Sequence, residues 1–296
     1  MNHCGYVAVI GKPNVGKSTL INQIVGEKVS IVTSKPQTTR HQILAIQTSK
    51  KGQILFIDTP GMHVGHKKAL NKYMNKTAAA AVLDVDLILF LVESLKWSAD
   101  DEQALKSLKH TNTPVILVIN KADLIKDKEK LLPFANKIFQ NFDFKEIFYI
   151  SASKGKGVAD LEDKIIQMLP ETANYFSDDQ LTDKSTKYLV SELIREQLML
   201  RLHQELPYSL TVEVESYKDK GSIVHIHALI WVERDIQKNM VIGKRGDTLK
   251  QVGIQARKEI QDLVGKKVHL KMWVKVKSAW ADNDRLLQQL GYKDEY

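Results

Sequence analysis

Short apolar runs recur along the first half of the chain, separated by polar or helix-patterned segments. The runs lie at residues 6–10, 43–47, 53–57, 87–92, 114–119 and 147–150. Continuous apolar stretches of this length are typical of strands buried in a parallel sheet. Residues 43–47 and 53–57 flank a short polar turn and predict a hairpin. Because the other runs alternate with helical patterns, the sequence predicts an α/β domain with a mostly parallel sheet and helices on both faces.

A different order of elements occupies the second half of the chain. The pattern predicts a helix at 188–206, a β-hairpin at 209–217 and 222–232, a helical region from 235 that is interrupted at 241–247 and resumes at 248–263, a strand at 267–276 and a helix at 278–290. The segment between the halves is polar and irregular. We therefore predict a first domain at 1–172, a linker at 173–186 and a second, α+β domain at 187–296.

Composition supports two domains, since 296 residues exceed the usual size of a single core. Cys4 is the only cysteine, which excludes a disulfide framework or a cysteine metal cluster and fits a reducing cytosol. The N-terminus runs directly into the first strand without a signal or transit pattern. The most apolar window, 78–92, contains two aspartates and is too short to span a bilayer. We expect a cytoplasmic protein, and nothing in the sequence suggests an obligate oligomer, so we expect a monomer.

The first strand leads into Gly-Lys-Pro-Asn-Val-Gly-Lys-Ser, residues 11–18, and a helical pattern follows. The phosphate-binding sequence G-x-x-x-x-G-K-[ST] requires this strand, loop and helix. Its glycines let backbone N–H groups converge on an anion at a helix N-terminus. We expect Lys17 to reach the β- and γ-phosphates and Ser18 to bind Mg²⁺. The predicted nucleotide-binding residues here are Gly11, Lys12, Pro13, Asn14, Val15, Gly16, Lys17, Ser18 and Thr19.

A second polar motif closes the second strand of the predicted hairpin. A carboxylate at the end of a buried strand suits a bound Mg²⁺, and a glycine in the following turn can direct its N–H towards a γ-phosphate. The predicted site residues of this turn are Asp58, Thr59, Pro60, Gly61 and Met62. Alone this motif is common in turns, but its position after a phosphate loop strengthens the prediction.

The strand at 114–119 ends in Asn-Lys-Ala-Asp, which indicates the base. The carboxylate of Asp123 can accept both hydrogens of guanine N1 and N2, whereas adenine lacks that donor pair and would leave the carboxylate unpaired. Asn120 can serve the carbonyl side of guanine, and the Lys121 stem can pack along the ring. The last strand leads to Ser-Ala-Ser, where a backbone N–H can meet the base edge. The predicted base-binding residues are Asn120, Lys121, Ala122, Asp123, Ser151, Ala152 and Ser153.

These motifs, in this order, resemble the translation-factor-like family of small GTPases over roughly residues 5–172. The resemblance implies a P-loop GTPase domain that binds GTP and GDP with Mg²⁺. It also implies a switch threonine, either Thr38 or Thr39, in the polar loop at 33–40. Alignment of the Thr-Thr-Arg triplet favours Thr39, which would join Ser18 and Asp58 at the metal.

The residues at positions 14 and 62 indicate which subgroup of this family the chain resembles. Many GTPases of this family carry a water-orienting glutamine at position 62, whereas Met62 cannot polarise water. In one subgroup, an asparagine at position 14 helps hold a K⁺ ion, which supplies the positive charge that an arginine finger gives elsewhere. The resemblance then implies slow hydrolysis, faster in K⁺ than in Na⁺, with Asn14, Lys17, Thr39 and Gly61 as the catalytic set. Alternatively, Asn14 only stabilises the loop, and both interpretations stay open.

Positive charge is concentrated near the C-terminus. Residues 234–277 hold twelve of the 43 Lys and Arg residues but four of the 35 Asp and Glu residues, and so account for the whole net charge of +8. Such a segment favours a polyanionic partner. It contains Gly-Lys-Arg-Gly between two predicted helices. Two glycines permit close approach of a nucleic-acid backbone, and the basic pair meets its phosphates. The predicted RNA-binding residues are Val241, Ile242, Gly243, Lys244, Arg245 and Gly246, with the two apolar residues lining a groove for bases.

This Gly-x-x-Gly clamp, with its basic surroundings and element order, resembles the type II KH domain found in prokaryotes. A GTPase domain of this subgroup joined to a KH domain resembles the bacterial ribosome-assembly GTPases. That resemblance implies a GTP-hydrolysing switch that binds the 3′ end of small-subunit (16S) rRNA, assists assembly of the 30S subunit and contacts anionic lipid peripherally at the inner face of the cell membrane.

The sequence also allows two other functions and one possible metal site to be considered. The chain can be a signalling GTPase whose C-terminal domain docks a protein or a membrane rather than RNA. An ATP-using enzyme is disfavoured by the Asn-Lys-Ala-Asp motif. His225 and His227 share one strand face, but no third ligand follows at metal-binding spacing, which favours a structural pair.

Overall fold

The structure, a computed structural model, describes residues 2–61, 69–203, 206–289 and 292. It comprises two compact units. The first contains Met1–Lys67 and Asn71–Asp183, and the second contains Lys68–Leu70 and Lys184–Tyr296. The division between residues 183 and 184 falls inside the segment predicted as the linker. Met62, one of the predicted site residues, lies outside the described residues.

In the described part of the first unit, six strands form one sheet in the order β2-β3-β1-β4-β5-β6. They are β1 (His3–Ile10), β2 (Ile43–Ser49), β3 (Gly52–Asp58), β4 (Leu87–Glu93), β5 (Val115–Asn120) and β6 (Glu146–Tyr149). The edge strand β2 pairs antiparallel with β3, and the other pairs are parallel. The predicted hairpin and the mostly parallel sheet are therefore confirmed.

A helix follows each of these strands except β2. The helices are α1 (Lys17–Val25), α2 (Ala69–Ala80), α3 (Ala99–Ser107), α4 (Leu131–Phe139) and α5 (Val158–Met168). The central strands β4 and β5 are buried along nearly their whole length, which explains why they read as unbroken apolar runs. Phe90 of β4 stacks on Phe144 with ring centroids 6.1 Å apart, in a core shared with α2, α3 and α4. Since parallel strands end at one edge of the sheet, the motifs that follow β1, β3, β5 and β6 lie along that edge.

The irregular segment at 173–183 packs along the hairpin of the first unit. The Gln53 side-chain oxygen accepts hydrogen bonds from the backbone N–H groups of Tyr175 and Phe176, each at 3.0 Å. The Thr182 hydroxyl donates to the Leu44 carbonyl at 2.7 Å. Most of the predicted linker therefore packs on the first unit.

The second unit has the element order that the sequence predicts, with a three-stranded sheet in the order β7-β8-β9. Its elements are α6 (Thr186–Arg201), β7 (Leu210–Asp219), β8 (Ile223–Val232), α7 (Asp235–Ile242), α8 (Asp247–Val264), β9 (Lys267–Val276) and α9 (Asp284–Gln289). β7 and β8 are antiparallel, whereas β8 and β9 are parallel. One sheet face packs against α6, α7 and α8 and forms the core of the unit.

The prediction of one helix over 278–290 is wrong. α9 begins only at Asp284, after a short 3-10 turn at Trp280–Asp282. The cause is Trp280, which is fully buried and donates its indole N–H to the Ser209 carbonyl at 3.1 Å. Ala279, with φ of 52°, and Asn283, in an extended conformation, break the helix on either side of that anchor.

Candidate nucleotide site and nucleic-acid interface

The phosphate loop joins β1 to α1, and the helix begins at Lys17. The Lys17 ammonium donates to the carbonyl oxygens of Gly11 at 3.0 Å and Lys12 at 3.1 Å, so that it lies over the loop. Burial lowers the pKa of Lys17 to about 8, although the nearby Asp58 carboxylate opposes this shift. An anion that meets this ammonium would stabilise its charged form.

Three oxygen-bearing side chains from separate segments converge beside Lys17. The Ser18 hydroxyl donates to Asp58 Oδ2 at 2.7 Å, and the Ser18 and Thr39 hydroxyl oxygens are 3.0 Å apart. Asp58 is fully buried, and its Oδ1 has no hydrogen-bond partner among the described residues. Burial raises the pKa of the Asp58 carboxyl, while the Ser18 hydrogen bond and Lys17 act in the opposite direction. A buried set of oxygen donors with one carboxylate oxygen unused suits a hard cation such as Mg²⁺.

The structure distinguishes the two threonines that the sequence leaves open. Thr39 lies at Ser18, as described above, and is largely buried. Thr38 instead donates to the Lys35 carbonyl at 2.6 Å and lies 2.7 Å from the Thr33 hydroxyl oxygen. Only Thr39 of this pair is therefore placed to meet a cation at Ser18 and Asp58.

The turn after β3 lies against the phosphate loop. The Thr59 hydroxyl donates to the Val9 carbonyl at 2.8 Å, which ties β3 to β1. A Cβ atom on Gly61 would lie 2.6 Å from Pro13 Cγ, so only glycine allows this approach. Gly61, Pro13 and Thr39 line one cavity together with the first turn of α1, including Thr19. The predicted γ-phosphate side of the site is thus assembled in one place.

Asn14 extends from the phosphate loop to the polar loop that precedes Thr39. Its side-chain amide donates to the Ser34 carbonyl at 2.7 Å. Asn14 has φ of 62°, a conformation that asparagine tolerates better than most residues. The amide N–H thus holds two loops together, and the side-chain oxygen is not used in that bond.

Asn120 anchors the base-recognition motif rather than pointing freely outward. Its amide donates to the Val15 carbonyl at 2.8 Å, and its side-chain oxygen accepts from the N–H groups of Lys121 at 2.8 Å and Ala152 at 3.0 Å. One buried side chain therefore joins the phosphate loop, the end of β5 and the segment after β6. The predicted role of Asn120 at the carbonyl side of guanine differs from this, since its described bonds are to protein groups.

Asp123 lies in a short 3-10 turn after β5 and forms an ion pair with Lys154 at 2.9 Å. The Lys154 ammonium, together with Ser151, lowers the pKa of the Asp123 carboxyl. Asp123, Ala122 and Ser151 line a depression that Tyr149 and Leu132 also border. An ionised carboxylate at the edge of a partly apolar depression fits the recognition of a planar base with paired donors.

The predicted clamp joins α7 to α8 in the second unit. Lys244 and Arg245 are exposed at its tip, and the Gly246 N–H donates to the Gly243 carbonyl at 3.1 Å. Gly243 has φ of 76° and ψ of 176°, a region that is essentially restricted to glycine. The sequence-predicted clamp therefore presents both basic side chains to solvent.

The two apolar residues before the clamp differ from expectation. Val241 is fully buried in the core of the unit, because the helical period of α7 turns it towards the sheet. It therefore does not line a surface groove. Ile242 is partly buried, and Met240 and Ile236, four residues apart on α7, are exposed.

Comparison with known proteins tests the assignment. Residues 6–121 match the family described as 50S ribosome-binding GTPase, and residues 205–281 match the KH domain family. GTPase Era of Pseudomonas fluorescens Pf-5 is 48% identical over 98% of this chain and 97% of its own, and GTPase Era of Glaesserella parasuis is 49% identical over 99% and 98%. The chain belongs to the GTPase Era family.

Solved structures of Era have the same fold as this chain. A crystal structure of Era in complex with MgGDPNP and nucleotides 1506–1542 of 16S ribosomal RNA is 36% identical, covers 99% of this chain and 100% of its own, and gives a TM-score of 0.96. A single-residue variant of Aquifex aeolicus Era bound to GDP.AlF4⁻ gives 0.95 at 36% identity over the same coverage. This member of the Era family is therefore a GTPase with a P-loop domain followed by a KH domain.

Two contacts of this Era family member were not predicted from the sequence. Lys121 pairs with Glu93 at 3.0 Å, and Lys12 pairs with the buried Asp101 at 2.6 Å. Glu93 is the last residue of β4. Because polar residues at the ends of parallel strands gather at one edge of the sheet, Glu93 could have been predicted to lie near Lys121. Asp101 lies in the first turn of α3 and accepts the Ser98 backbone N–H at 2.8 Å. The Ser-x-x-Asp spacing of a capping box marks it in the sequence, but does not indicate its pairing with Lys12.

His225 and His227 lie two residues apart on β8. No group of three potential metal ligands from His, Cys, Asp and Glu occurs in the part of the chain that the structure describes. Nor is any helix among residues 2–61, 69–203 and 206–289 long and apolar enough to cross a membrane.

Proposed function

We propose that this GTPase is a nucleotide-controlled switch that binds the 3′ end of small-subunit rRNA and assists assembly of the 30S subunit. The observation that carries the proposal is the presence, in one chain, of the GTPase motifs at one edge of a parallel sheet and of a KH clamp whose two basic residues are exposed. The Era of known structure that was crystallised with MgGDPNP and 16S rRNA supports the same partner for this chain.

We propose GTP and GDP as ligands, with the phosphates on residues 11–19 and the base at 120–123 and 151–153. Ser18, Thr39 and Asp58 would hold Mg²⁺, and the convergence of their oxygens supports this set. When bound, the ion neutralises charge that develops on the transferred phosphoryl group. Lys17 and the Gly61 N–H would meet the β- and γ-phosphates.

We further propose that hydrolysis is slow and faster in K⁺ than in Na⁺. Met62 offers no group that polarises water. The Asn14 side-chain oxygen is left unused by its bond to Ser34, and Asn14 belongs to the loop that would surround the phosphates. A monovalent cation there supplies the positive charge that an arginine finger provides in other GTPases.

For RNA, we propose that Lys244 and Arg245 bind phosphates while the glycines on either side let the strand approach closely. Ile242 and the exposed Met240 would contact unstacked bases, in place of the buried Val241. The γ-phosphate would order the loops at 33–40 and 58–62, and this ordering would favour the RNA-binding arrangement. Since binding free energies are reciprocal, RNA must then tighten GTP binding by the same factor.

The domain boundaries, the oligomeric state and the location of the protein are also proposed. We propose functional domains at 1–172 and 187–296, a monomeric protein and a cytoplasmic location. The basic C-terminal segment also supports peripheral contact with anionic lipid at the inner face of the cell membrane.

The test measures GTP hydrolysis and RNA affinity in the same full-length protein. The RNA is a labelled oligonucleotide from the 3′ end of 16S rRNA, at stated salt. We expect Lys244→Asp combined with Arg245→Asp to abolish RNA binding and to leave GTP turnover without RNA unchanged. An unaltered RNA affinity, or a parent protein without RNA affinity, would contradict the proposal and favour a domain that docks protein or membrane.

A further inference from the structure

The sheet of the KH domain has one face that its helices do not cover. Side chains alternate along β8, so that Val224, Ile226 and Ile230 enter the core, whereas His225, His227 and Trp231 point to the opposite side. β9 is paired in register with β8 and alternates in the same way. We define the outer face by His225, His227 and Trp231 of β8 and His269, Trp273 and Lys275 of β9.

Aromatic rings occupy most of this outer face, and the buried Leu229 lies among them, between His227 and Trp231 along β8. His225 and His269 pack with ring centroids 5.3 Å apart, and His227 meets Trp273 edge-on at 5.3 Å. Trp273 is 43% exposed, an unusual position for a tryptophan in a folded domain. From the histidine pair to Trp231, six residues along β8, the face extends about 20 Å.

Positive charge surrounds these rings. The Lys275 and Lys277 ammonium groups lie 5.8 Å and 5.4 Å from the Trp231 ring centroid, within cation–π distance. Lys271 is exposed and lies opposite His227 in the register. The acidic Glu213 is already engaged, since it accepts the Trp231 indole N–H at 2.9 Å.

This combination fits single-stranded nucleic acid. Exposed rings on a sheet stack bases, and cations beside them meet the phosphates between bases. A length of about 20 Å along the strands accommodates the two or three bases that aromatic sheet surfaces of RNA-recognition domains stack. A flat surface rich in aromatic rings but without a basic rim would have favoured a protein partner instead.

We infer that the outer face of the KH sheet is a second site for single-stranded RNA, distinct from the Gly-Lys-Arg-Gly clamp. It goes beyond the proposed function, in which only the clamp and the adjacent residues of α7 bind RNA. A strand long enough to leave the clamp would lay further nucleotides across Trp273 and Trp231. The second site then adds affinity only for longer RNA.

The experiment compares two labelled single-stranded RNAs, of about ten and about thirty nucleotides, with the full-length protein. The ratio of their affinities isolates the second site, because the clamp is common to both. We expect the parent to bind the longer RNA at least about tenfold more tightly. A longer RNA offers the clamp more overlapping binding positions and therefore binds somewhat more tightly even without a second site. In Lys271→Gln combined with Lys275→Gln, the ratio of affinities should fall towards the value that this statistical effect alone produces. A plot of the logarithm of the affinity for the longer RNA against the logarithm of the salt concentration should also become less steep, by about 1.4 in slope.

Trp273→Thr tests stacking at an exposed strand position that threonine suits. It should lower the affinity for the longer RNA at least about fivefold. The matched control is Lys106→Gln combined with Lys137→Gln, two exposed lysines of the first unit, which should leave the ratio unchanged. If the Lys271/Lys275 variant, which keeps the aliphatic stems, retains the parental ratio, the second site is refuted. A parent that binds neither RNA contradicts the proposed function itself.

Discussion

The side-chain amide of Asn120 donates a hydrogen bond to the carbonyl oxygen of Val15 at 2.8 Å, across 105 positions of the chain. The bond is buried and connects the base motif directly to the phosphate loop. Gly16 makes this approach possible, because a Cβ atom there would lie 2.3 Å from Asn120 Nδ2. The two halves of the nucleotide site are therefore positioned by each other as well as by the sheet.

Asn120→Ala should disrupt the whole site. It removes three described hydrogen bonds and leaves the buried Val15 carbonyl without that donor, which costs about 1–3 kcal/mol. We expect a lower melting temperature and a GDP affinity reduced by at least about tenfold. Thermal unfolding and nucleotide titration measure the two effects. Asn112→Ala, at an exposed loop asparagine, is the matched control, and equal behaviour of the two variants would contradict this role.

Asp123→Asn should change the base that is recognised. The amide cannot accept both guanine hydrogens, so GTP affinity should fall by about 10²-fold or more. Xanthosine triphosphate, which offers a carbonyl where guanine has an amino group, should bind better than GTP. Competition between the two nucleotides gives the ratio, and an unchanged preference for guanine would show that Asp123 does not contact the base.

The proposed potassium site predicts a salt-specific rate. The parent should hydrolyse GTP several-fold faster in KCl than in NaCl at equal ionic strength, because K⁺ at Asn14 supplies charge to the transition state. Asn14→Ala should make the two rates equal. Phosphate release under multiple turnover measures them, with Asn112→Ala as the control. Equal rates in the parent would leave Asn14 with only its bond to Ser34.

The two glycines of the clamp should respond differently to the same substitution. In Gly243→Ala, the new Cβ would lie 2.1 Å from Thr248 Oγ1 in a backbone region that alanine avoids. We expect this to destabilise the KH domain by about 3 kcal/mol. Gly246→Ala meets nothing within 4 Å, and its left-handed conformation should cost only about 1 kcal/mol. Three of the four tryptophans lie in this unit, so their fluorescence reports its unfolding, and equal losses would contradict the difference.

RNA binding on the outer face should depend on pH. Burial, followed by the charges of Lys220, His269, His227 and Lys271, lowers the pKa of His225. Lys218 faces it from β7. RNA phosphates favour the protonated ring, and the complex therefore takes up a proton as the pH falls.

The affinity for the longer RNA should accordingly increase, relative to the shorter RNA, as the pH falls from about 7 to about 5. Replacement of His225 by Gln should flatten this profile. Fluorescence anisotropy across the pH range measures both lengths. Parallel profiles for the two RNAs would mean that the His225 ring does not approach phosphate.

Much of the nucleotide site follows from the sequence because its residues stand at the ends of apolar strands. Parallel strands end at a common edge of the sheet. The positions of Lys17, Asp58 and Asp123 after such strands therefore predict that these residues lie close together. The KH element order is predicted equally well, since hairpin and helix have distinct periods. These local patterns decide the fold before any long-range contact is known.

Other features depend on contacts that leave no local pattern. The closing helix is interrupted because the Trp280 indole bonds to Ser209, a partner 71 positions away. Val241 enters the core because of the orientation of α7 on the sheet, which the sequence near the clamp does not specify. The outer face of the KH sheet is visible only in the register of β8 and β9, which brings two separate alternating strands side by side.

The central claim is that nucleotide controls RNA binding. The most direct measurement is the affinity of the full-length protein for a labelled 16S rRNA 3′ oligonucleotide, with GDP and with a non-hydrolysable GTP analogue, at one salt concentration. We expect the analogue to tighten binding by about 5- to 150-fold, the usual range of coupling between two sites. Equal affinities would mean that the nucleotide does not control RNA binding and would contradict the proposed switch.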